Sequence, residues 1–251
     1  VLRLAVVNGR LGPLEEAVVP ATDAGFLSGW TVFETLRVVD RSIPLLDDHL
    51  ARLTASARRA HIAMPPQLEA EMRDLAGRTD IESRMRVTLS GSGTRVVTVE
   101  PVPTDRRGAP VRCATGPFVA DPFLGGSVKH GSRAGWIVGV RDAGVDDVLM
   151  IDADGRFTEG TTCGVVAVRE GEIWTAPHDG RILESTTVQD VLQRATVLGI
   201  PVRRQGALAG EAVDGLYIAS ATRGLAPVIE LDGRPMPGWE PVGRRLSEAL
   251  G

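Results

Sequence analysis

Lys129 is the only lysine in this 251-residue chain; every other member of its 28 Lys and Arg side chains is arginine. Arginine substitutes for a surface lysine at little cost. It cannot shed its proton near neutral pH and attack a carbonyl as a free amine. A chain that keeps one side-chain amine is read as keeping it for covalent chemistry, against the alternative of one surface lysine surviving by chance. The natural chemistry is Schiff-base formation, and pyridoxal 5'-phosphate (PLP) enzymes are its commonest hosts.

The elements that must position this amine follow from periodicity and punctuation. Leu4 to Val7 reads as a strand, Asn8-Gly9 as a tight turn, and Thr31 to Val39 as an alternating strand. Leu46, Leu50, Leu53 and Ala57 recur at helical spacing, with Asp47 and Asp48 where negative charge suits the helix dipole. A second helix is expected over about Pro66 to Gly77. Strands at Arg84–Leu89 and Arg95–Glu100 flank the glycine-rich turn Ser90–Thr94, and Val111–Thr115 is a further strand. Gly116 to Gly126 reads as a linker. Beyond Lys129 a helix runs to about Ala143. Strands follow at Val148–Ile151, Gly164–Arg169 and Glu172–Thr175, then a helix at Ser185–Leu198 stopped by Gly199. Val202–Arg204, Leu216–Ser220 and Val228–Leu231 complete the strands. The expected fold is α+β in two lobes, residues 1–117 and 118–251, each a mixed sheet with helices, the second carrying Lys129. There is no internal repeat and no low-complexity segment.

Composition narrows the function. Hydrophobic residues make up 43% and charged residues 24%, ordinary for a globular protein, and the net charge of −4 offers no attraction for nucleic acid or an anionic membrane. No apolar run approaches the roughly 20 residues that span a bilayer. The opening VLRLAVVNGR is too short and interrupted for a signal peptide. Cys113 and Cys163 lie in separate strand-like segments, which fits a reducing cytoplasm better than a disulfide scaffold and, without a nearby histidine pair, makes no zinc site. A small-molecule substrate is therefore expected, with no metal.

Five stretches, in order, resemble the class IV aminotransferase family of fold type IV PLP enzymes. They are Asp23–Arg37, His49–Ser56, Asp154–Thr162, Ile182–Thr187 and Ser220–Val228, with the candidate lysine in Lys129-His130 between the second and the third. The resemblance implies that Lys129 is the Schiff-base lysine and general acid and base. It implies that Glu159 hydrogen-bonds the pyridine nitrogen, and that Arg52, Thr186, Thr187 and Thr222 bind the phosphate. A homodimer is implied, with its sites at the lobe junction. The family usually has Gly-Ile-Thr where this chain has Ser185-Thr186-Thr187, and Asp-Gly where it has Trp30-Thr31.

Lys129-His130-Gly131-Ser132-Arg133 is similar to a stretch of 4-amino-4-deoxychorismate lyases, and Thr35 matches a threonine those lyases use beside the cofactor. That likeness implies release of pyruvate and 4-aminobenzoate. Transamination of a D-amino acid, a branched-chain amino acid or a small amine is the alternative. A single tyrosine, Tyr217, argues against the branched-chain enzymes, whose pockets use several. Trp30, Arg95 and His130 are candidate substrate contacts. His49 is expected to cap or pack, and His61 and His178 to be structural or exposed.

Overall fold

Period-two alternation in residues 31–38 leaves Val32, Glu34, Leu36 and Val38 on one face of a strand, all buried, with Thr31, Thr35 and Arg37 less so on the other. In the computed structural model, which describes residues 3–250, that strand is one edge of an antiparallel sheet ordered β2-β1-β5-β4-β3. The strands are β1 (Leu4–Val7), β2 (Arg10–Pro13), β3 (Thr31–Val38), β4 (Ser83–Ser90) and β5 (Arg95–Pro101). Helix α1 (Ala24–Ser28) precedes β3; α2 (Leu46–Arg59) packs on β3, and α3 (Leu68–Ala76) on β1 and β5. Asp47 and Asp48 in the first turn of α2 and Arg58 and Arg59 in the last complement its dipole. Leu53, Ala57, Leu68, Met72 and Leu75 are buried with Val87 and Val97 in the core of this unit.

The Lys129 segment belongs to this first unit, which comprises the residues up to Thr104 together with Ser127–Arg133. It extends the sheet past β3. Phe33 N–H donates to the Lys129 carbonyl at 2.9 Å, Gly131 N–H donates to the Thr31 carbonyl at 2.9 Å, and His130 bridges Val32. A side chain at Gly131 would place Cβ 1.9 Å from Thr31 Oγ1, so glycine lets this pairing form without turning the Thr31 side chain aside.

The second unit holds residues 105–126 and those from Ala134 onward. Strand β6 (Val111–Pro117), expected before the boundary at 117, lies in this unit because it pairs in parallel with β7 (Asp147–Ile151) and β13 (Gly224–Leu231). The boundary at 117, with Lys129 in the second lobe, differs from the contacts on both counts. Strands β9 (Gly164–Arg169), β12 (Gly215–Ser220), β13, β6, β7 and β8 (Phe157–Gly160) form a ring of pairings, closed by the single pair Glu159↔Gly164. β10 (Glu172–Trp174), β11 (Val202–Arg203) and β14 (Arg234–Pro235) extend it, and α4 (Ala134–Ala143), α5 (Thr186–Val197) and α6 (Pro241–Leu250) complete the unit. Tyr217 is fully buried and anchors α6: its hydroxyl donates to Glu240 Oε1 at 3.1 Å and accepts from Glu240 N–H at 3.1 Å.

The expected strands and long helices are present within a few residues of their expected ends. Helix α1 and strand β8 escape pattern reading because their sequences, Ala-Gly-Phe-Leu-Ser and Phe-Thr-Glu-Gly, show no helical or alternating apolar period. α6 has the helical spacing Val242, Leu246 and Leu250, but Pro241 and Gly243 at its start disguise it.

Candidate functional site

The first set of chemical groups gathers on β3, its edge segment and one face of α2. Glu34 projects from the apolar face of β3 and is almost fully buried. Arg52 holds it bidentately, Nε to Oε1 and Nη2 to Oε2, both at 2.7 Å. His49 Nδ1 lies 2.8 Å from Oε2. Burial by itself raises the Glu34 carboxyl. Hydrogen bonds from Arg52 and His49, with the charges of Arg52 and Lys129, outweigh it and bring the pKa down to about 2. One turn beyond Arg52, the buried Ser56 Oγ accepts the Lys129 backbone N–H at 3.1 Å. A single face of α2 thus presents His49, Arg52 and Ser56.

The other face of β3 carries Phe33, with Thr35 directly opposite Arg86 on β4. Lys129 Nζ lies 4.9 Å from the Phe33 ring centroid, Arg133 Cζ 5.2 Å and Arg86 Cζ 3.8 Å. Three cations share one aromatic platform. Burial and the neighbouring Arg84 disfavour the Arg86 charge, while Glu34 supports it.

The second set lies at one end of the other unit's ring. Glu159 is buried, and its Oε2 accepts the Leu183 N–H at 3.3 Å. Gly164, its strand partner, leaves room for α5: a Cβ there would lie 2.4 Å from Val188 Cγ2 and 3.2 Å from Ser185 Cβ. Ser185 caps α5, accepting from Val188 N–H at 3.2 Å with φ −69° and ψ 116°. This is an ordinary extended backbone, so serine stands without strain where the family usually has glycine. Thr186 and Thr187, both buried, open the helix, where backbone N–H groups lack intrahelical acceptors and favour an anion. Thr222 sits in the turn joining β12 to β13, beyond Ala219, which pairs with Gly164. Buried Asp147 braces the chain just after Glu159. Its Oδ1 accepts from Thr161 N–H at 2.8 Å and from Thr161 Oγ1 at 2.7 Å, and its Oδ2 from Thr162 Oγ1 at 2.5 Å.

The family model for amino-transferase class IV matches residues 31–231. The chain belongs to the class IV aminotransferase family. Members work with PLP, and this chain is a PLP-dependent enzyme. It is 30% identical to the bifunctional aminodeoxychorismate lyase / D-amino acid transaminase of Mycobacterium tuberculosis, over 86% of this chain and 87% of that one. It is 26% identical to the D-alanine aminotransferase of Bacillus licheniformis, over 97% and 94%. A PLP-bound hypothetical aminotransferase from Mycobacterium tuberculosis superposes with a TM-score of 0.89 at 27% identity, covering 99% of this chain and 97% of that chain. The first unit supplies an amine and a guanidinium, and the second a buried carboxylate and a hydroxyl-rich helix N-terminus, donor types that suit an aldehyde, a phosphate and a pyridine nitrogen.

Not every residue singled out from the sequence joins these sets. Arg95 lies on the helix-covered face of its sheet, opposite to Phe33, where Glu71 of α3 grips it through Nε and Nη2 at 2.8 and 2.7 Å. It is committed to that pair instead of to a substrate carboxylate. Trp30 packs its indole on Gly91, where a Cβ would be 2.2 Å away, and donates Nε1–H to the Ala60 carbonyl at 2.9 Å. This is an anchoring role. His130 is half-buried on the edge segment, its carbonyl accepting from Arg133 Nε at 3.0 Å. Pattern and motif do not point to Glu34, Ser56, Arg86 or Asp147, and they give His49 only a capping or packing role. The signal for Glu34 was a charge on the apolar face of an alternating strand, which burial tolerates only with partners.

Proposed function

We propose that this class IV enzyme acts as an aminodeoxychorismate-type lyase that releases pyruvate and 4-aminobenzoate. The observation that carries this reading is Thr35, a hydroxyl on the face of β3 that also presents Phe33 and, above its ring, the Lys129 amine. PLP, when bound, supplies an electron sink for the carbon bonds next to the substrate amine. Lys129 is the residue that joins the cofactor covalently and then moves protons at its Nζ. Glu159 keeps the pyridine nitrogen protonated. Arg52, Thr186, Thr187 and Thr222 hold the phosphate. Arg86, stacked on Phe33 and, among the described residues, without an acidic hydrogen-bond or ion-pair partner, is the residue on this face suited to a substrate carboxylate.

Transamination of a D-amino acid is the second reading, favoured by several relatives whose names carry that activity. Tyr217 lies in a hydrophobic core instead of a site, which supports neither a tyrosine-rich pocket nor the branched-chain alternative. Two further features support the remaining expectations. The apolar side chains Ile137 and Val138 of α4 are more than half exposed, which favours a homodimer. Cys113 and Cys163 are buried thiols, in keeping with a reducing cytoplasm. No helix among the described residues is long and apolar enough to cross a membrane.

The deciding experiment gives the PLP-loaded enzyme aminodeoxychorismate in one vessel and D-alanine with 2-oxoglutarate in another. Formation of 4-aminobenzoate, at a rate that falls at least tenfold in Thr35→Val, is the expected result. Pyruvate formed only in the second vessel makes the enzyme a D-amino-acid aminotransferase.

A further inference from the structure

Two effects of Glu34 on an anion held by Arg52 oppose each other. Its negative charge weakens the local positive field and so disfavours a phosphate. Its geometry does the reverse. A free arginine side chain samples many rotamers, and ordering it on binding costs affinity. Here the Nε and Nη2 edge is committed to the two carboxylate oxygens at 2.7 Å, which fixes the plane of the guanidinium in advance. His49, at 2.8 Å, fixes the carboxylate in turn. Fork-on-fork pairing is the most directional of the charged hydrogen bonds, and burial protects it from screening.

We propose that Glu34 is a positioning residue for cofactor binding: its buried carboxylate sets the orientation of Arg52, and through Arg52 it strengthens the hold on the PLP phosphate. The inference rests on the reading that Arg52 binds that phosphate. Orientation outweighs the opposing charge because the carboxylate touches the guanidinium on two atoms.

The test compares PLP with pyridoxal, which lacks the phosphate, on wild type and Glu34→Gln, each titrated by the visible band of lysine-bound cofactor. The expected result is a PLP Kd raised about tenfold to a hundredfold in E34Q, with pyridoxal affinity changed less than about threefold. In the Arg52→Leu background, E34Q should bring no further loss of PLP affinity, because the two residues act as a unit. The ³¹P resonance of bound PLP should broaden or shift in E34Q.

An unchanged or tighter PLP affinity in E34Q overturns the proposal and makes charge the dominant effect. Equal losses for PLP and pyridoxal overturn it too, by showing that Glu34 supports the fold alone. Should E34Q fail to fold, Glu34→Asp carries the same comparison, since it keeps the buried charge and withdraws it by one methylene. Failure of wild type to prefer PLP over pyridoxal would instead refute the phosphate role of Arg52 itself.

Discussion

The two units hold their chemical groups by different means. In the first, order comes from charge: Glu34, His49 and Arg52 fix one another, and three cations crowd the Phe33 ring. In the second, order comes from backbone. Asp147 braces the Thr161-Thr162 turn after Glu159, Ser185 caps α5, and Gly164 lets that helix approach the strand. A charge network loses most when one member is deleted, because the remaining charges stay buried. A backbone-braced turn loses one or two hydrogen bonds and can relax.

The largest expected consequence falls on the charge network. Arg52→Leu leaves Glu34 buried without its guanidinium and should destabilise the chain without cofactor by about 3–5 kcal/mol, read from denaturant midpoints. A loss below about 1 kcal/mol would erase the contrast between the two regions. Next comes the turn. Asp147→Asn keeps one acceptor toward Thr161 but turns an amide toward the Thr162 hydroxyl, and should cost about 1–3 kcal/mol. A larger loss than R52L would invert the comparison.

The third effect is one of pH. The Glu34 pKa is depressed from 4.5 to about 2, so between those values the unfolded chain binds more protons than the folded one. Its contribution to stability is full above about pH 4.5 and is lost as pH falls through about 2. The stability gap between wild type and E34Q should therefore stay level above pH 4.5 and narrow below it. A gap that widens in acid would contradict the assignment.

What was legible in the sequence divides along the same line. Strand alternation and helix spacing carry most strands and α2, and the family motifs point to Lys129, Arg52, Glu159 and Ser185-Thr186-Thr187, but the first sheet is wholly antiparallel where a mixed one is expected, because strand direction leaves no mark in a strand's own sequence. Pairing partners were not legible. Arg95 and Arg86 lie on neighbouring strands, and only the register shows that Arg95 meets Glu71 on the helix-covered face while Arg86 meets Phe33 on the other. Because it follows the linker, the Lys129 segment reads as part of the second half, yet its hydrogen bonds run to Thr31, Phe33 and Ser56. Such long-range backbone pairing leaves no local periodic trace. Asp147 reads as one acid in an acidic pair until the fold places Thr161 and Thr162 over it.

The central claim is that Lys129 carries the cofactor, and a chain with one lysine makes the test direct. The PLP-loaded protein would be reduced with borohydride, digested, and each peptide weighed. One pyridoxyl-phosphate adduct on the peptide containing Lys129, absent from Lys129→Arg, is the expected result. An unlabelled Lys129 peptide, from protein shown to be saturated with PLP, would contradict the account.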